Sequence, residues 1–99
     1  MVNTIFDQAM AAGEAAMRRG NFHAALNHFE GALTEDPTSA LAHAELSLCL
    51  SRLNRRFGAE IEAERALSLD PDLPAAHIAL GYAALDMATS RARAARSPK

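Results

Sequence analysis

The sequence predicts an all-α fold of five antiparallel helices, arranged as two helical hairpins and a fifth helix. Three observations carry this. The first is internal repetition: residues 31–51 and 65–85 align at an offset of 34, pairing Ala32 with Ala66, Leu33 with Leu67, Asp36 with Asp70, Pro37 with Pro71, His43 with His77 and Leu46 with Leu80. A fixed period of this size marks a helical solenoid, whose units bury their apolar faces only against neighbouring units. The second is composition, 49% hydrophobic but only 5% aromatic, with much of the remainder alanine, the strongest helix former. The third is punctuation. Gly20-Asn21, Asp36-Pro37, Asn54-Arg55 and Asp70-Pro71 interrupt the chain where short turns between helices would fall.

Thr4 stands where it can cap a first helix, with Asp7 three residues on as a shorter form of the capping-box acid. Ile5, Ala9, Ala12, Gly13 and Ala16 recur at helical spacing as its inward stripe. Gly20 then supplies the stop and Asn21 the next cap. Phe22, Ala25, Leu26, Phe29, Ala32 and Leu33 share one face of the second helix. That helix ends at Asp36-Pro37, because a residue preceding proline is pushed out of the α region. Thr38 or Ser39 caps the third helix, whose face is Ala42, His43, Leu46, Cys49, Leu50 and Leu53. The fourth runs from near Arg56 to Leu69, with Phe57, Ile61, Ala66 and Leu67 expected inward. The last starts near Leu73-Pro74, where proline is tolerated in the first turn, and continues to near Arg96; Ser97-Pro98-Lys99 is expected to fray.

These units resemble the tetratricopeptide repeat. Its pattern asks for a large residue, then Leu-Gly, then an aromatic or apolar residue in helix A; helix B carries Ala, an aromatic and Ala, and proline closes the unit. Residues 6–39 supply Ala12-Gly13, Gly20, Phe22, Ala25, Phe29, Ala32 and Pro37. Residues 40–73 supply His43, Leu46, Ser47, Ala59, Ala66 and Pro71. Residues 74–96 begin with His77, Leu80 and Gly81 and show no recognisable helix B. Ala9, Ser47 and Ala63 depart from the pattern. The resemblance implies one domain over residues 1–99, a right-handed α-solenoid. In it the small residues Gly13, Ser47 and Gly81 let each helix A lie close to its helix B, and Phe29 fills the volume between units.

It also implies where function lies: on the concave face formed by helix A residues. Position by position, that face holds Met10, Glu14, Met17 and Arg18, then Leu41, Glu45, Leu48 and Arg52, then Ile78, Tyr82 and Leu85. An apolar strip with adaptable methionines suits a helix or an extended peptide laid in a groove. The same side chains would also cover helix seams or a self-association surface. Repeat proteins of this kind that grip the C-terminal carboxylate of chaperone tails use Lys and Asn at defined helix A positions. Those positions here are Met10, Glu14, Glu45, Ala75 and Ala79, two acids and no cation, which would repel a carboxylate.

Other chemistries find little support. A net charge of −2 gives no general attraction to nucleic acid or an anionic membrane. No stretch approaches the ~20 apolar residues that span a bilayer, and the start of the chain lacks a signal-peptide pattern. The single cysteine, Cys49, forms no intrachain disulfide and sits on an apolar face, where an inert thiol is expected. His43 and His77 could stack across adjacent helices, but no carboxylate at matching spacing completes a metal site; His23 and His28 miss the i,i+4 spacing. Glu60, Glu62 and Glu64 point to different sides of one helix and read as a solvated surface. Arg91, Arg93, Arg96 and Lys99 suit the C-terminal end of a helix dipole. The expectation is a cytoplasmic, non-enzymatic adaptor with no cofactor that binds a protein or peptide segment. The competing readings are a unit that homodimerises through its last helix, where Tyr82, Leu85 and Met87 point several ways, and a piece of a longer array.

Overall fold

Five helices follow one another, α1 (Thr4–Arg18), α2 (Phe22–Glu35), α3 (Ala40–Arg52), α4 (Arg56–Leu69) and α5 (Pro74–Arg96), in a computed structural model that describes residues 4–96, with side chains described to residue 85. Ser97-Pro98-Lys99 lies outside the described residues. No strand occurs among them. The packing is that of an α-solenoid: α1 pairs with α2, α3 with α4, α3 also meets α2, and α5 lies on α3 and α4.

The turns recur with the period of the sequence. Gly20 takes the left-handed conformation at φ +78°, and Asn54, 34 residues on, takes it at φ +62°. Asparagine tolerates that region better than other residues with a Cβ. The Asn21 side chain then caps α2, accepting the Ala24 N–H at 3.3 Å. Its counterpart Arg55 has nearly the same backbone angles but makes no side-chain cap to α4. Ser39, rather than Thr38, caps α3 through the Ala42 N–H at 3.2 Å. Both Asp-Pro corners are braced locally: Asp36 Oδ1 accepts the Thr38 N–H at 3.1 Å, and Asp70 Oδ1 accepts the Asp72 N–H at 3.1 Å. Thr4 is already the first described helical residue, so it lies within α1 rather than before it.

Two core clusters result. The first joins Met10, Leu26, Phe29, Leu46, Cys49 and Leu50 with alanines of several helices. The second consists of alanines alone, Ala44, Ala63, Ala66, Ala76 and Ala79, with Leu48, Leu67, Leu73 and Leu80 leaning on it. Gly13 allows the close approach expected of it: a Cβ there would stand 2.5 Å from Cε1 of the fully buried Phe29. Ser47 occupies the equivalent place in α3, and its hydroxyl donates to the Ala59 carbonyl at 2.6 Å, so the extra polar atom is paired. At Gly81, the third such place, nothing among the described residues lies within 4 Å of an added Cβ.

Several residues face the other way from expectation. Phe57, expected inward, is 74% exposed, and Ile61 and Ile5 are exposed as well. The inward face of α4 is instead Ala59, Glu62, Ala63 and Ala66, because small side chains let α4 approach α3 closely. The positions 34 residues before Phe57 and Ile61 are His23 and Asn27, both exposed, so the repeat does not require burial there. Glu62, read as solvated, is buried.

Candidate functional site

Successive helix A segments expose a shallow face, part of which lies between α3 and α5. There Leu48, Ser51, Arg52, Tyr82 and Leu85 line a depression of about 340 Å3. Four of these five belong to the face expected from the sequence, two turns of α3 and one of α5 brought together by the stacking of the helices. Ser51 was not expected: its hydroxyl is buried with no hydrogen-bond partner among the described residues, and no periodic pattern signals an unpaired hydroxyl. Arg52 sits at one rim, its guanidinium 6.0 Å from the centroid of the Phe22 ring, a cation–π contact with the first hairpin.

Elsewhere on this face Leu41, Ile78 and Arg18 are exposed, and Glu14, Met17 and Glu45 are half-buried. Met10 is a correction. It is only 6% exposed and belongs to the same core cluster as Phe29 and Leu46. Burial first, and then the negative charge of Glu14, raise the pKa of Glu45 above the usual carboxylate range. Two acids on neighbouring helices thus share one stretch of the face, and neither has an ion-pair partner among the described residues.

His43, His77 and Cys49 do structural work. His43 and His77 are held alike by their own turns. Each donates Nε2–H to the carbonyl of the proline six residues earlier, Pro37 at 2.9 Å and Pro71 at 2.7 Å. The buried His43 also meets Glu62 Oε2 through Nδ1 at 2.6 Å, while Glu62 Oε1 accepts from Arg65 at 2.9 Å. The counterpart of Glu62 34 residues earlier is His28, which is exposed, so the repeat register gave no sign of its burial. The Cys49 thiol donates to the Phe22 carbonyl at 2.9 Å, and burial is the main cause that pushes it up to about 11. Among the described residues no group of three His, Cys, Asp or Glu could hold a metal, and no helix is long and apolar enough to cross a membrane. The side chains of Met87, Arg91, Arg93 and Arg96, and all of Lys99, lie outside the described set.

The sequence pattern that defines the tetratricopeptide repeat matches residues 16–77. Among curated proteins, the chain is 35% identical over 85 residues to an Hsp70-Hsp90 organizing protein of Triticum aestivum, covering 79% of this chain and 15% of that protein. It is 35% identical over 66 residues to Hsp70-Hsp90 organizing protein 2 of Arabidopsis thaliana, covering 67% of this chain and 12% of the relative. A protein O-mannosyl-transferase of Caenorhabditis elegans is 38% identical over 61 residues, covering 62% of this chain and 9% of the transferase. The chain therefore spans less than a sixth of the length of these relatives.

Proposed function

We propose that this chain, which belongs to the tetratricopeptide repeat family and is thereby a protein–protein interaction module, holds a partner segment along its concave face, with units at residues 6–39 and 40–73 and a terminal helix at 74–96. The occupant in this reading is a helix or extended peptide. It sets a large apolar side chain over Leu48, Tyr82 and Leu85 and a lysine or arginine against Glu14 and Glu45. The observation that carries it is the half-buried Glu45 beside Glu14, two carboxylates without a counter-ion among the described residues, which a cation would relieve.

The wheat and Arabidopsis relatives carry Hsp70 and Hsp90 in their names, which makes chaperones one candidate class of partner. The acids on this face argue against capture of an anionic chain terminus and for a basic internal segment. No chemistry of its own is assigned to the module, and a cytoplasmic setting belongs to the same proposal. A displayed peptide library selected on the purified chain tests it. Enrichment of sequences pairing Lys or Arg with a large apolar residue, lost with Glu45→Lys and with Tyr82→Ala while both variants keep their helical circular dichroism, supports the reading. Enrichment of acidic C-termini, or equal binding by both variants, sinks it.

Exposure of Ile78, Tyr82 and Leu85 on one side of α5 favours one alternative, a second copy of the chain on that helix. Sedimentation across concentration separates the two. A dimer that Leu85→Asp splits would support self-association, and a concentration-independent monomer would remove it.

A further inference from the structure

On α4, Phe57 is 74% exposed and Ile61 51%. At about 100° per residue, Phe57, Ile61, Glu64 and Ser68 lie on the side opposite the buried Ala59, Glu62, Ala63 and Ala66. The repeat does not account for large apolar side chains there. Their counterparts in α2 are His23 and Asn27, and Leu69 answers to Glu35; all three are polar and exposed. Yet α2 already has a further unit stacked against it, and α2 and α4 do not meet. A unit stacked beyond α4 in the same way would leave Phe57 and Ile61 in water as well.

This face carries both halves of a fit. Phe57 projects from it near the start of α4. Further along, Pro37, Ile61, Arg65, Ser68 and Leu69 line an open depression of about 620 Å3. Arg65, at its middle, stands eight residues from Phe57, about 12 Å along the helix. Charge is divided in the same way. Arg56 stands in the first turn, where the helix dipole disfavours a cation. Glu64 lies beyond the middle, and neither has an ion-pair partner among the described residues. We propose that this face binds a second copy of itself, α4 against α4, antiparallel about a two-fold axis at Ile61. That axis brings Ile61 of the two copies together. It sets Phe57 of each copy opposite Arg65 of the other, where the ring enters the depression and lies on the guanidinium. It also brings Arg56 of each copy within a turn of Glu64 of the other. One operation fills both depressions and forms both ion pairs, so the contact closes as a dimer. The concave groove and the exposed side of α5 remain open, and the proposal does not depend on what occupies them.

Three turns of helix bury less than the ~800 Å2 per partner of a standard interface, so the dimer is weak, with a dissociation constant on the order of 100 μM. Sedimentation equilibrium on the full chain, about tenfold to either side of that value, should show monomer passing to dimer. In 15N spectra over the same range, the amides around Phe57 and Ile61 should shift. Ile61→Asp, at an exposed position that leaves the fold intact, should weaken association by about tenfold or more, and Leu85→Asp should leave it unchanged. The two-fold arrangement makes a sharper demand. Arg56→Glu and Glu64→Arg should each prevent dimerisation alone, because like charges then meet. An equal mixture of the two variants should dimerise again, and so should the chain carrying both changes. A monomer at every concentration would overturn the proposal. So would a dimer split by Leu85→Asp but not by Ile61→Asp, or charge-reversed chains that fail to recover when mixed.

Discussion

Substituting alanine for glycine should have opposite signs at two helical positions of this chain. In the interior of a helix the change gains about 1 kcal/mol from backbone entropy alone. At Gly31 in α2 nothing lies within 4 Å of the new methyl, so Gly31→Ala should show that gain undiluted. At Gly13 the same methyl meets three carbons of the Phe29 ring at 2.5, 2.8 and 2.8 Å. Comfortable carbon contacts begin near 3.5 Å, so the ring would have to retreat by about 1 Å. Phe29 is fully buried in a close-packed interior and has no free space to move into. Overpacking of this kind costs ~1–3 kcal/mol, and three simultaneous collisions place it at the upper end, for a net loss of about 2 kcal/mol. Urea unfolding followed by circular dichroism at 222 nm should therefore separate the two variants by about 3 kcal/mol. Adding Phe29→Leu to Gly13→Ala should recover part of the loss, since the shortened side chain no longer reaches the methyl. Equal stabilisation by Gly13→Ala and Gly31→Ala would refute the claim that glycine is there for ring contact.

Other substitutions test other features. Arg55→Asn places the side chain that caps α2 on a backbone of nearly the same angles at the start of α4, and should stabilise the chain by about 1 kcal/mol in the same urea assay. Glu45 has a raised pKa, so the stability it contributes is fully present below the ordinary carboxylate value and is lost as pH rises through its raised one. Glu45→Gln should match the parent near pH 4 and unfold at higher urea than the parent at pH 7. The Cys49 thiol, pushed up to about 11 and bonded to the Phe22 carbonyl, should react with a thiol reagent roughly a hundredfold more slowly in the native chain than in urea. Comparable rates would mean that α2 and α3 part readily at that point.

The inward faces of α2 and α3 were legible in the sequence because large apolar residues there repeat every three to four positions. The caps at Asn21 and Ser39 were legible because few side chains suit those places. Phe57 and Ile61 were misassigned because size was taken to decide burial. In a helix packed through alanines it does not, and the polar counterparts His23 and Asn27 already marked those places as outward. Glu62 escaped because a buried carboxylate needs a partner, and His43 is 19 residues away. For the groove, the repeat register was enough to bring Leu48, Arg52, Tyr82 and Leu85 together. Ser51 and the burial of Met10 depend on three-dimensional packing that no period encodes.

The two cores differ in kind, and that difference sets an order of events. The cluster around Phe29, Leu26 and Leu46 removes large side chains fully from water, whereas the cluster of Ala44, Ala63, Ala66, Ala76 and Ala79 fully buries only methyls and half-buries the leucines around them. In a one-dimensional stack, structure forms where burial per residue is greatest and then spreads to neighbours. Folding should therefore start at the α1–α2 hairpin with α3, which also leaves the ribosome before α5, and close towards α5 in the direction of synthesis. Opening should run in reverse, so that α5 detaches from an otherwise intact chain and its amide hydrogens exchange well before those of α2.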